Sequence, residues 1–168
     1  MRSMLARDKI LTLPALLQKL GPARRAGETI VMTNGCFDLL HVGHLRSLEM
    51  ASAFGDRLVV AINLDASVRR AKGIDRPIQP ARARMELVAA LACVDWVVAF
   101  GADTPIRIIK AVRPDVLAKG GDWALDAIVG RGEVERSGGR VVRLEIVPGI
   151  RSTELIERIR RGAPRRKR

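Results

Sequence analysis

The chain has 168 residues, 48% of them hydrophobic, with 30 Lys and Arg against 18 Asp and Glu, a formal net charge of +12. That length and apolar content suit one domain with its own core and leave little room for two. No apolar run approaches the roughly 18 residues of a membrane span, the first ten residues lack the apolar stretch of a secretory leader, and Cys36 and Cys93 form neither a disulfide framework nor a CxxC zinc ribbon.

In chain order, the first element expected is a helix over 13–24. Apolar runs of strand length follow at 29–33, 58–62, 96–100, 116–118 and 140–146, and the segments between them mostly read as helices. A helix over 42–54 stops at Gly55, one over 81–92 starts after Pro80, and one over 106–112 is opened by Thr104-Pro105 and ends before Pro114. The last, over 152–160, carries Leu155, Ile156 and Ile159 on one face. This alternation predicts an α/β fold, a doubly wound parallel sheet of about five strands with helices on both faces, in a single domain over 1–160. Residues 161–168, RGAPRRKR, have nothing apolar to pack and read as a disordered basic tail. The net charge favours polyanionic partners, whether nucleotides, nucleic acid or an anionic membrane face, and does not by itself choose among them. A nucleic-acid module is the competing class, set against the absence of tyrosine and of any RNA-recognition or zinc-finger signature. No membrane partner is expected, and the protein is expected in the cytoplasm with reduced thiols.

In an open parallel sheet the ligand crevice lies beyond the carboxyl ends of the strands, where strand order reverses. Directly after the first strand comes the run 33–44, TNGCFDLLHVGH, which leads into a helix and contains both histidines of the chain, His41 and His44. Residues three apart at a helix start share a side, so the two imidazoles can face one ligand, and Gly43 lets a phosphate approach the helix N-terminus. Two other readings of this window stay open: zinc ligation by the histidines with Asp38 as a third ligand, and plain helix capping.

The run 33–44 resembles the signature of the cytidylyltransferase-like nucleotidyltransferase superfamily, whose fold is Rossmann-like. Within it, later segments are similar to heptose 1-phosphate adenylyltransferases: Asn63, Asp65 and Ser67-Val68-Arg69; Lys72-Gly73-Ile74-Asp75-Arg76-Pro77; Arg84; Cys93-Val94-Asp95; Asp103-Thr104-Pro105; and Arg113 through Lys119-Gly120-Gly121-Asp122-Trp123. The resemblance implies adenylyl transfer from ATP to D-glycero-D-manno-heptose 1-phosphate, giving ADP-heptose and pyrophosphate for the lipopolysaccharide inner core. It implies catalytic roles for His41, His44, Lys72 and Arg84. Nucleotide contacts are implied at Thr33, Asn34, Gly35, Cys36, Phe37, Gly43, Lys119, Gly121, Arg151, Ser152 and Thr153, and acceptor contacts at Asp38, Asn63, Arg76, Asp122 and Trp123.

The linker 69–76, RRAKGIDR, taken by itself reads as a solvated surface loop. Lys119 is suited to neutralise phosphate, Asp122 to accept sugar hydroxyls and Trp123 to form an apolar wall. Arg151 is a departure, since the heptose enzymes more usually carry a small hydroxyl residue there. No metal site built from protein groups is expected, because Mg²⁺ can be held through nucleotide phosphates and water. The implied partners are ATP and a sugar 1-phosphate, a homo-oligomer, and a separate heptose kinase and phosphatase. The nearest enzyme alternative is glycerol 3-phosphate cytidylyltransferase.

Overall fold

The computed structural model describes residues 5–121, 124, 127–145 and 151–162. Its strands are β1 (Ile10–Leu11), β2 (Ile30–Gly35), β3 (Arg57–Asn63), β4 (Trp96–Phe100), β5 (Val116–Gly120) and β6 (Arg140–Leu144). They form one sheet in the order β1-β4-β3-β2-β5-β6, with every pair parallel. Both faces are covered, so the central strands are apolar at successive positions rather than at alternate ones. Ile30 and Met32 share one face with Val59 and Ala61. Val31 takes the other face with Leu58, Val60 and Ile62.

The first face is covered by α1 (Leu13–Arg25) and α5 (Ile106–Val112), through Leu16, Leu20, Ile108 and Ile109. The second is covered by α2 (Val42–Ser52) and α4 (Ala81–Ala89), through Leu48, Ala51, Val88 and Ala89. At the amino edge of the sheet, carboxylates close the backbone: Asp56 accepts from Thr29 N at 2.8 Å, Asp95 from Leu58 N at 2.8 Å and Asp115 from Ile30 N at 2.7 Å. These bonds pin strand starts at the end of the sheet opposite the expected crevice.

The sheet has six strands rather than about five. The extra one pairs Ile10 and Leu11 with Val97 and Val98 at the edge, and two residues are too few to show a period. Residues 69–72, expected in a loop, belong to α3 (Asp65–Lys72), which buries Ser67 and Val68 and has an acidic residue in its first turn. The loop begins only at Gly73. Two helices end early. At α2 the chain turns so that Gly55 can lie against β2, where a Cβ would fall 2.7 Å from Val31 Cγ2 and 2.8 Å from the Thr29 carbonyl. After α4 it turns to bury Val94 and bring Asp95 to the start of β3. A short α6 (Arg131–Arg136), not expected, buries only Val134. The last helix, α7 (Ser152–Arg160), stands where expected and buries none of its residues. Ile146 and the tail residues 163–168 lie outside the described residues. No helix among the described residues is long and apolar enough to cross a membrane.

Two glycines close to each other in sequence should respond oppositely to alanine. Gly132 is inside α6 with 3.5 Å of clearance, so Gly132→Ala should stabilise by about 0.5–1 kcal/mol through reduced unfolded-state entropy. Gly139 is held between the Pro114 and Asp115 carbonyls, 2.7 and 2.9 Å from an added Cβ, so Gly139→Ala should destabilise by about 1–3 kcal/mol. Urea denaturation of the two variants checks the opposite signs.

Candidate active site

The chain builds outward from β2 in one direction to β3, β4 and β1, and in the other to β5 and β6, so strand order reverses between β2 and β5. A cleft of about 270 Å³ opens beyond their carboxyl ends. Its walls come from the loop after β2, the first turns of α2, the end of α3, the end of β5 with Gly121, residues 144–145 and the start of α7.

The loop after β2 is tightly shaped. Phe37 and Leu39 have φ of 49° and 53°, a left-handed conformation costing about 1–2 kcal/mol per residue outside glycine. Asp38 between them fixes the loop from within. Its carboxylate is buried and accepts from Arg76 Nε at 2.7 Å, Ile78 N at 2.9 Å and Gln79 N at 3.0 Å. Burial alone would raise its pKa, but the Gln79 and Ile78 amides and Arg76 together hold it below the ordinary carboxylate value. Its carbonyl accepts the Ser152 hydroxyl at 2.7 Å, which joins the start of α7 to the same loop.

His41 is the N-cap residue of α2 and His44 lies in its first turn. Their rings stack with centroids 3.8 Å apart and 22° between planes, and the Phe37 ring tilts against His44 at 5.3 Å. Both Nδ1 atoms are buried and have no hydrogen-bond partner among the described residues. Leaving an acceptor unpaired is less costly than burying an unpaired N–H, which puts the proton of each neutral ring on Nε2. His44 is pushed down to about 4, by burial first and then by the charges of His41 and Lys72 against an opposing Asp38. Burial lowers His41 as well. Two neutral rings are therefore held ready to donate beside the N-terminus of a helix, where backbone N–H groups favour anions.

The structure brings together on the cleft Thr33, Asn34, Gly35, Cys36, Phe37, Asp38, His41, Gly43, His44, Lys72, Gly121 and Ser152. It places other expected residues elsewhere. Arg76 is engaged with Asp38, so two residues expected to contact the acceptor neutralise each other. Asn63 donates to Ser67 Oγ at 3.2 Å. Lys119 donates to Asn34 Oδ1, and burial lowers its pKa to about 8. Arg151 and Thr153 flank Ser152 and are exposed. Arg84, expected on phosphate, is fully buried and bonded to three backbone carbonyls and Asp65. Asp122 and Trp123 lie outside the described residues. Gly120 lines the cleft beside Gly121, and Ser47, Leu48, Leu144 and Glu145 also line it and were not foreseen. Ser47 was findable, one helical turn beyond His44, whereas Leu144 ends the edge strand β6 and Glu145 follows it, with no motif to mark either.

A family model described as cytidylyltransferase-like matches residues 32–158. A bifunctional protein HldE of Alkalilimnicola ehrlichii is 56% identical over 150 residues, which are 89% of this chain and 31% of that protein. One of Methylococcus capsulatus is 57% identical over 153 residues, 90% of this chain and 32% of its own. The chain thus spans about a third of the length of the curated relatives it matches. Among solved structures, a lipopolysaccharide core biosynthesis protein from Thermoplasma volcanium aligns with a TM-score of 0.61 and 28% identity, covering 74% of this chain and all of that one. A pantoate-beta-alanine ligase from Francisella tularensis aligns with the same score at 11% identity, covering 92% of this chain and 76% of its own, a likeness of fold alone.

The lowered His44 pKa has a stability consequence. Between its ordinary value of 6.5 and about 4 the unfolded chain binds a proton at this residue that the folded chain does not, so acidification through that window favours unfolding. Wild type should lose stability relative to His44→Gln as pH falls from 7 to 4.5, measured by urea denaturation at each pH; parallel curves would contradict the shift.

Proposed function

The chain belongs to the cytidylyltransferase-like family of nucleotidyltransferases, and from that membership we propose that it transfers AMP from ATP to D-glycero-D-manno-heptose 1-phosphate, releasing pyrophosphate and forming ADP-heptose. The observation that carries the reading is the stacked pair His41 and His44 at the start of α2, facing a cleft at the strand-order reversal with Lys72 on its wall. The relatives favour the heptose acceptor: one solved relative is a lipopolysaccharide core biosynthesis protein, and the curated ones are bifunctional proteins of which this chain corresponds to about a third. A heptose kinase and a phosphatase outside these 168 residues then supply the acceptor.

The nucleophile is an oxygen of the sugar phosphate. Its second ionisation lies near pH ~6, so at neutral pH it is largely dianionic and no general base is required. It attacks the α-phosphorus in line as the bond from that phosphorus to the β-bridging oxygen breaks, and pyrophosphate leaves with the electron pair. The protein's part is to align the two phosphates and stabilise charge as it spreads. His41 and His44 donate from Nε2 to phosphoryl oxygens, the first N–H groups of α2 add their partial charges, and Lys72 supplies a full one. Anionic oxygens at the imidazoles raise their pKa values, so the pair can take up a proton as the nucleotide binds.

Mg²⁺ fits this donor set as an ion carried on the nucleotide. Among the described residues no three His, Cys, Asp or Glu side chains are grouped to cage it, and the Asp38 carboxylate is occupied by Arg76 and two amides. Among the described residues Glu145 is the cleft carboxylate that could order the waters of such an ion. When bound, Mg²⁺ would neutralise phosphate charge and ease departure of pyrophosphate.

The reading is tested by pyrophosphate release with Mg²⁺, pairing ATP or CTP with both anomers of heptose 1-phosphate or with glycerol 3-phosphate. Turnover is expected with ATP and a heptose phosphate; CTP with glycerol phosphate would move the substrate, and silence with every pair would sink the proposal. His44→Ala should lower kcat by about 10²–10³-fold with an unchanged circular dichroism spectrum.

A further inference from the structure

Arg84 is the bulkiest of the fully buried side chains, and every hydrogen bond found for it is internal. Nε donates to the Gln79 carbonyl at 2.9 Å, Nη1 to the Cys36 carbonyl, and Nη2 to the Asn63 carbonyl at 2.8 Å and to Asp65 Oδ1 at 2.7 Å. These acceptors belong to four different segments: the loop after β2, the end of β3, the start of α3 and the loop before α4. Of the five N–H donors of a guanidinium, four are occupied, and the side chain is fully buried, so it offers a phosphate in the cleft no exposed face.

We propose that Arg84 is the positioning residue of this site, acting through the backbone that carries His41, His44 and Lys72 rather than on phosphate. Cys36, whose carbonyl it holds, immediately precedes the left-handed Phe37, so the bond fixes the loop at the point where its backbone is least comfortable. Asp65, whose carboxylate it holds, opens the helix that ends in Lys72. The same helix is tied in its last turn by Arg70, which donates to Asp103 at 2.6 Å and to the Gly101 carbonyl at 2.9 Å. Two anchors on a rigid helix set where its last residue meets the cleft. A lysine could supply the charge but not the planar fork that reaches acceptors in several directions.

The chain's only two histidines make the test direct, because a ¹H–¹³C NMR spectrum holds two imidazole signals. In Arg84→Lys without substrates, both signals should move, and the His44 titration should shift away from about 4 towards 6.5 as the loop loosens around it and around its titratable neighbours His41, Lys72 and Asp38. This arm is independent of the proposed reaction, so it stands or falls even if no tested substrate turns over. With substrates, kcat should fall by about tenfold or more while KM for the nucleotide changes by less than about threefold, the pattern of an interaction realised in the transition state. A folded Arg84→Lys with both signals at their wild-type positions and midpoints would overturn the proposal, as would a raised nucleotide KM with unmoved histidines. If Arg84→Lys does not fold, Asp65→Ala decides. It frees the start of α3 and should move the His44 signal through Lys72; an unmoved signal overturns the inference.

Discussion

The walls of the cleft converge on the carboxylate of Asp38. It follows β2 directly, sits between two residues with left-handed backbone, and binds Arg76 and the amides of Ile78 and Gln79 from the segment before α4. Through its carbonyl it also receives Ser152 at the head of α7. A buried carboxylate is costly unless charge and hydrogen bonds compensate it, and here both do. Such a pair contributes little net stability compared with an apolar substitute, but it is highly directional. Its role in this molecule is to specify how three separate segments meet, and the histidines stand within six residues of that knot.

The electrostatics of the site follow from this enclosure. Stacking two imidazoles 3.8 Å apart, against a phenylalanine ring and with both Nδ1 atoms sealed, makes a doubly protonated pair strongly unfavourable. The resting site therefore offers neutral donors. A phosphoryl group arriving at the Nε2 atoms changes their surroundings in the opposite sense, so ligand binding and protonation are thermodynamically linked. Such a site can strengthen its interaction as charge moves during reaction, which fixed cations that hold the ground state equally well cannot do.

Much of this was legible in the sequence where local pattern coincides with tertiary need. The central strands are apolar at successive positions because both faces are covered, and Pro80 and Pro105 stand at the starts of α4 and α5. The motif 33–44 was readable because strand, loop and helix are contiguous, and nine of its twelve residues line one cleft. What could not be read is how long polar side chains partition between ligand and fold. Arg76 and Arg84 stand in a segment that resembles phosphate-binding sequence, yet one neutralises Asp38 and the other fastens backbone carbonyls across segments far apart in sequence. Only three-dimensional closure reveals those partners. The edge strand Ile10–Leu11 was invisible for a different reason: its identity comes wholly from pairing with β4.

The distribution of charge completes the account. The chain carries 30 Lys and Arg, but Lys72 is the one among them that lines the described cleft. The net charge of +12 and the chemistry are thus largely separate devices. A positive field over the whole surface raises the local concentration of anionic substrates and acts over a Debye length, about 8 Å at physiological salt, so it weakens as salt rises. In the proposed reaction the cleft would work at contact range in a partly desolvated setting, through imidazole N–H groups, a helix terminus and one ammonium. On that reading substrates are gathered by charge that sits elsewhere, and the chemistry is left to donors whose surroundings are built by Asp38, Arg76 and Arg84, whose own charges face one another, Asp65 or the backbone.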